Sequence, residues 1–201
     1  MQKTTFKYSL EGQESERLIF RKITSNDFET WLKFCKYPDS LKYIFSQEQL
    51  LINDPIEYCK IWFEKINNRY ENGNGGLNAL IDKNTHEFVG QCGLLVQTID
   101  GKEELEIGYA IMPSHRGKGY ATEAAIKCKT FAFENNFCKS LISVIVPENI
   151  DSIKVALKNG MILEKTSISN GDEVNIYRVK NKFLKYHHDR FIERSSSKSL
   201  R

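Results

Sequence analysis

The sequence predicts one mixed α/β domain, and three stretches of its 201 residues predict it. Residues 78–81, 87–97 and 104–112 are strand-like and are separated by a short polar turn and by Asp100-Gly101, which reads as an antiparallel meander. Ala121, Ala124, Ala125, Cys128, Phe131 and Ala132 then recur at helical spacing before a buried strand at 141–146. A strand, a helix and a strand in that order make a right-handed crossover between two parallel strands, here those holding Glu104 and Leu141. A last hairpin, 162–169 and 173–179 through Asn170-Gly171, adds an antiparallel flank.

The other elements follow from local signals. Residues 17–22 alternate, with Leu18 and Phe20 on one face of a first strand. Thr24 or Ser25 caps a helix whose apolar face holds Phe28, Trp31, Leu32 and Cys35. A second helix takes Asp54 as cap, Pro55 in its first position and Glu57 to close a capping box, and it ends at Gly73 before a loop over 72–76. Asn149 or Asp151 caps a later helix with Ile153, Ala156 and Leu157, stopped by Gly160. Past Asn181 the chain turns basic, with Phe183, Leu184, His187 and Phe191 weakly helical and 195–201 expected to be disordered. The expected organisation is an extension over 1–16, a domain over 17–180 and a basic tail over 181–201.

Composition removes several classes of function. With 40% hydrophobic and 27% charged residues, the chain is neither fibrous nor wholly disordered. No apolar run approaches the roughly 20 residues that cross a bilayer, and residues 1–10 lack a signal-peptide core, so the expected compartment is the cytoplasm. A net charge of +3, spread along the chain, does not argue for nucleic-acid binding. Cys35, Cys59, Cys92, Cys128 and Cys138 form no CxxC pair and suit buried thiols. His187-His188 cannot both face one site on a regular element, and with His86 and His115 they complete the histidines, so no metal is expected.

The informative segment is Arg116-Gly117-Lys118-Gly119-Tyr120-Ala121-Thr122, between a strand end and a helix start. Two glycines allow a tight turn, and the unpaired amides of the new helix point at whatever sits there, which makes an anion cradle. Arg116 and Lys118 add charge suited to a polyphosphate. A P-loop would need GxxxxGK followed by Ser or Thr, and a dinucleotide fingerprint would need Gly or Ala where Thr122 stands.

Arg116, Gly119 and Ala121 fit the Q/R-x-x-G-x-G/A signature, and the segment resembles the GNAT family of N-acetyltransferases. Glu106-Ile107-Gly108-Tyr109, Pro113, residues 117–124, Asn149-Ile150-Asp151-Ser152 and Lys158-Asn159-Gly160-Met161 look like the branch that acetylates N-terminal amines of ribosomal proteins. That branch usually has Phe where this chain has Met161. The resemblance implies a mostly antiparallel sheet of six or seven strands, splayed between its two central parallel strands and flanked by helices. It also implies acetyl-coenzyme A in the splay as co-substrate, with its pyrophosphate on the amides of Gly117 to Thr122. Its pantetheine arm would run beside Ala110, Ile111 and Met112.

Direct transfer needs a base for the acceptor ammonium and a donor for the departing thiolate. Glu104 and Glu106 share one strand face and are the candidate bases, Glu106 first because the family often has an acid before its Ile-Gly-Tyr. By resemblance Asn149 binds the pantetheine arm and Ser152 steadies or protonates the thiolate, while helix capping alone would also account for either residue. Tyr109 is the alternative donor. Trp31, Phe34, Tyr37, Tyr43 and Phe45 are mostly core, and any that line the acceptor groove would favour a peptide or an amine with apolar bulk. The acceptor implied is a protein N-terminal α-amine, with a polyamine or aminoglycoside-like amine as the alternative, and monomer and homodimer both stay open. Two rivals are a sensing module that keeps the cofactor cradle without transfer, and nucleic-acid binding through the basic tail at Lys180, Lys182, Lys185, Arg190 and Arg194.

Overall fold

A computed structural model of the chain describes residues 7–169 and 171–181. Asn170, the helix expected around Phe183, Leu184, His187 and Phe191, His188, Lys182, Lys185, Arg190, Arg194 and the stretch 195–201 lie outside the described residues.

The chain opens with β1 (Leu18–Lys22) and then folds four helices: α1 (Phe28–Cys35), α2 (Pro38–Leu41), α3 (Gln47–Leu50) and α4 (Pro55–Glu71). The meander follows as β2 (Gly75–Asp82), β3 (Phe88–Ile99) and β4 (Lys102–Ile111). The crossover helix is α5 (Tyr120–Glu134), leading to β5 (Ser140–Ile145), α6 (Ile150–Lys158), β6 (Ile162–Ser169) and β7 (Asp172–Lys180). One seven-stranded sheet results, in the order β1-β2-β3-β4-β5-β7-β6, with β4 and β5 its parallel pair.

Local chemistry accounts for most boundaries. Asp100 and Gly101 both sit at positive φ, 49° and 74°, as a two-residue hairpin turn requires. The Asp54 carboxylate accepts from the Ile56 amide and Pro55 opens α4. Glu57 does not close the expected capping box. It pairs with Lys60 on the outer face instead, 3.3 Å away. Thr24 precedes a single 3-10 turn rather than α1 itself, because the Asp27 carboxylate takes the Thr24 amide and is in turn held by Arg21 at 2.6 Å. The expected loop over 72–76 ends earlier than foreseen, since Gly75 and Gly76 already pair with Leu95 and Leu94 in the sheet.

Side-chain alternation sends residues to two large cores, one on each face of the sheet, and to a smaller cluster of Ile99, Ile142, Val174 and Ile176. Leu18, Phe20, Leu80, Leu94, Ile107 and Leu141 pack against Ala124, Cys128 and Ala132 of α5 and Ala156 of α6. Leu77, Ala79 and Leu95 pack the other way, against Trp31, Phe34, Trp62 and Ile66 of α1 and α4. Helices therefore cover both faces of the sheet over β2 to β4, while β6 at its far edge is largely exposed. Among the described residues no helix is long and apolar enough to cross a membrane.

Candidate active site

The strands part between β4 and β5. Glu106 stands opposite Ile142, Ser143 Oγ donates to the Ile107 carbonyl at 3.0 Å, and beyond that point the two strands diverge around a cavity. This cavity, about 570 Å³, is walled by Gly108 to Ile111 on one side, Ser143 to Val146 on the other, and α4 and the α2 segment above.

At one end lies the glycine turn. Gly117 and Gly119 hold φ of 76° and 84°, a conformation that side chains with a Cβ rarely adopt. The first backbone bond of α5 runs from Glu123 N–H to the Gly119 carbonyl at 3.1 Å. The amides of Gly117 to Thr122 have no hydrogen-bond partner among the described residues. Six adjacent donors at a helix start, facing the cavity at Gly117, Gly119, Tyr120, Ala121 and Thr122, make a concave anion site.

Of the two basic residues of this turn, Arg116 lines the cavity and Lys118 does not. Arg116 bends back from the turn: its Nε donates to the Ile111 carbonyl at 3.2 Å and its Nη2 to Ser40 Oγ at 2.7 Å, and it lies over the Phe34 ring. It thus ties α2 to the end of β4. Lys118 does not line the cavity, and its carbonyl accepts from Arg17. Met112 is likewise off the cavity: it is buried in the α1–α4 core, while Ala110 and Ile111 line the wall.

The turn is braced by residues that sequence reading missed. Glu123 accepts from the Arg17 amide, Ser15 Oγ and Arg17 Nε, all at 2.7 Å. Arg17 lies over the Tyr120 ring, and the Tyr120 hydroxyl donates to Asp82 at 2.6 Å. That bond, with those from the Thr85 and Asn84 amides, holds Asp82 down to about 2. Burial raises the Glu123 carboxyl, but the three donors outweigh it and leave its pKa below the ordinary value. Truncation in Glu123→Ala leaves those donors unpaired and is expected to lower Tm by about 2–8 °C. Since the folded pKa is depressed, this stabilisation is present above the ordinary carboxylate range and is lost as pH falls through the lowered value. Calorimetric scans of both proteins between pH 3 and 7 should therefore converge at the acid end.

The two candidate carboxylates have different fates. Glu104 is gripped by Arg178 Nη1 and Nη2 at 2.9 and 2.8 Å, which keeps its carboxyl below the usual range, and it does not line the cavity. It serves the β4–β7 framework and is not placed to act as a base. Glu106 sits at the vertex of the splay, 8% exposed, with Oε2 accepting from Gln97 Nε2 at 2.7 Å and Oε1 from the Val144 amide at 3.4 Å. Burial pushes its pKa up, while Gln97, Val144, Arg69 and Lys65 pull it down, and burial prevails. Gln97 is itself oriented, because Arg69 Nη2 donates to its Oε1 at 3.2 Å. The one signal for Gln97 in the sequence is its place on the strand beside Glu106, and Arg69 gave none.

Across the cleft Asn149 caps α6, its Oδ1 accepting from the Ser152 amide at 3.2 Å. Both residues line the cavity. Tyr109 directs its hydroxyl at the Ser152 carbonyl, 2.9 Å away, and burial raises its pKa. Of the expected aromatic groove, Phe34, Tyr43 and Phe45 reach the cavity; Trp31 is wholly core and Tyr37 faces solvent. Tyr43 also donates to the Glu148 carbonyl at 3.3 Å, so the α2–α3 segment spans the opening.

Similarity to known proteins agrees with this architecture. A family profile described as acetyltransferase (GNAT) domain matches residues 17–162. A relative, the uncharacterized protein YkkB of Bacillus subtilis, is 39% identical over 116 residues, 57% of this chain and 67% of its own length. RimL, a ribosomal L7/L12 alpha-N-protein acetyltransferase solved with coenzyme A, superposes with a TM-score of 0.65 at 18% identity, over 83% of this chain and 95% of its own. A spermidine N-acetyltransferase from Vibrio cholerae, solved with coenzyme A and spermine, gives 0.63 at 17% identity, over 82% and 96%. At such identities the two structures share a fold with this chain while differing in acceptor. A splayed parallel pair, a six-amide turn and a profile spanning most of the chain lead to one statement: the chain belongs to the GNAT acetyltransferase family.

Proposed function

We propose that the protein transfers an acetyl group from acetyl-coenzyme A to the α-amine at a protein N-terminus, by direct attack within a ternary complex. One observation carries the reading: a buried carboxylate stands at the vertex of the parted strands, in the same cavity as the unpaired amides of Gly117 to Thr122. The turn suits a pyrophosphate and the β4 wall suits an extended pantetheine arm, which together bring a thioester beside Glu106.

When bound, the co-substrate supplies an activated acetyl carbonyl for the amine to attack. Glu106 takes the amine's proton, and its raised pKa brings it closer to the strength such a transfer needs near neutral pH. Gln97 and the Val144 amide fix the carboxylate so that it need not reorient during the reaction. Ser152 donates to the departing sulfur. Tyr109 is a positioning residue, holding the start of α6 through the Ser152 carbonyl. Phe34, Tyr43, Phe45 and Trp62 line an apolar bay that suits a peptide end.

Loss of one hydrogen bond to a charged sulfur is expected to lower kcat about 10- to 100-fold in Ser152→Ala, with little change in acetyl-coenzyme A affinity. The assignment itself is tested by thiol release with N-terminal peptides, polyamines and aminoglycosides, beside calorimetry with coenzyme A. Turnover of peptides supports it. Turnover of small amines alone overturns the acceptor, and binding without release from any acceptor favours a sensor.

A further inference from the structure

The charges around Glu106 bear on which amines enter, given the transfer proposed above. Lys65 and Arg69 lie one turn apart on α4, on the face that also presents Trp62 and Ile66 to the cavity. Arg69 is committed to the Asn74 and Val96 carbonyls and to Gln97. Lys65 lines the same wall with no hydrogen bond or ion pair among the described residues. Both cations feel the charge of Glu106. The other acids lining the cavity lie toward solvent: Asp151 pairs with Lys154 at 3.3 Å, and Asp39 is exposed on α2.

The balance at the vertex is therefore positive. With Glu106 ionised, two cations face one anion; once Glu106 has taken the amine's proton, they face none. An ammonium entering such a site is repelled, and a polyamine more so, unless the acceptor brings a negative charge of its own. We propose that Lys65 is the anchor for that charge and that the acceptors are N-termini followed within the next two residues by Asp or Glu. The carboxylate meets Lys65 while the α-amine meets Glu106, so one ligand neutralises both ends of the site. Specificity then comes as much from rejecting cationic amines as from binding acidic ones.

The test uses peptides of one length that begin with Ser and continue with two acidic, two neutral or two basic residues, together with spermidine, on the wild-type protein, Lys65→Gln and Lys65→Glu. Thiol release gives kcat and KM, and calorimetry with coenzyme A present gives peptide Kd independently of turnover. Wild type should favour the acidic peptide over the basic one by about tenfold or more in kcat/KM, chiefly through KM. Lys65→Gln should shrink that preference and Lys65→Glu should reverse it. Equal or better use of the basic peptide or spermidine by wild type overturns the proposal, as does a preference that Lys65→Glu leaves unchanged. Acidic-peptide binding that depends on Lys65 without any thiol release upholds the anchor and sinks the transfer reading instead.

Discussion

Glu106→Gln is expected to lower kcat by about 100- to 1000-fold while the Kd for coenzyme A stays within about twofold. The substitution keeps the shape of the side chain and removes its proton affinity. Gln97 and the Val144 amide both donate to the carboxylate, so in the variant one of them faces an NH2 donor instead of an oxygen, and circular dichroism beside the kinetics separates that local cost from loss of the base. Glu106→Asp keeps the acid but withdraws it from the vertex, and an intermediate loss is expected. The pH profile supplies a second readout. Because burial raises the Glu106 pKa, the acid limb of kcat/KM in the wild type should lie above the ordinary carboxylate range. Gln97→Leu removes a donor that lowers that pKa and should move the limb further toward alkaline pH. Arg69, Lys65 and the Val144 amide still restrain it in that variant, and Glu106→Gln should abolish the limb altogether. A limb that stays unmoved in all three variants would remove Glu106 from the reaction.

The second large effect is expected at Gly119, where Val should weaken coenzyme A binding about 5- to 150-fold, the equivalent of about 1–3 kcal/mol of backbone strain. Gly119 holds φ at 84°, and an added Cβ would approach Arg17 Nη2 to 3.4 Å. A branched side chain cannot rest there, so the turn would shift and its six amides would no longer converge. Gly117→Ala is the milder companion, since its Cβ would meet open space and only the positive φ resists it. Isothermal calorimetry with coenzyme A, beside dephospho-coenzyme A as a shorter-charged control, reads both variants. Unchanged affinity in Gly119→Val would mean that the pyrophosphate rests elsewhere.

Much of this architecture is legible in the sequence because its signals are local. The Asp100-Gly101 turn, the spacing of alanines in α5, the Asp54-Pro55 start of α4 and the glycine turn each state a backbone conformation within a few residues. The segment between α1 and α4 was not legible: α2 and α3 have four residues each, too short for a periodic pattern. The site divides in the same way. Gly117, Gly119, Asn149 and Ser152 announce themselves through turn and cap chemistry, and Glu106 stands beside a recognisable tripeptide. What separates the two candidate carboxylates is long-range. Glu104 and Glu106 look equivalent along β4, and it takes Arg178, 74 residues away, to hold one of them in the framework. Arg69 and Gln97 meet across 28 residues, and Arg17 reaches Glu123 across 106. Charge partners at such separations leave no periodicity to read.

The division of the cavity between its two walls has an evolutionary consequence. On the proposed reading, thioester handling falls to the stretch from β4 to α6 and the roof over the acceptor to the stretch between α1 and α4, and Arg69 of that roof also reaches Glu106 through Gln97. Exchange of the α1–α4 stretch between related chains, with Arg69 kept, would retarget the enzyme without rebuilding its catalytic apparatus. A scaffold partitioned in this way can diversify its clientele by drift in one segment alone.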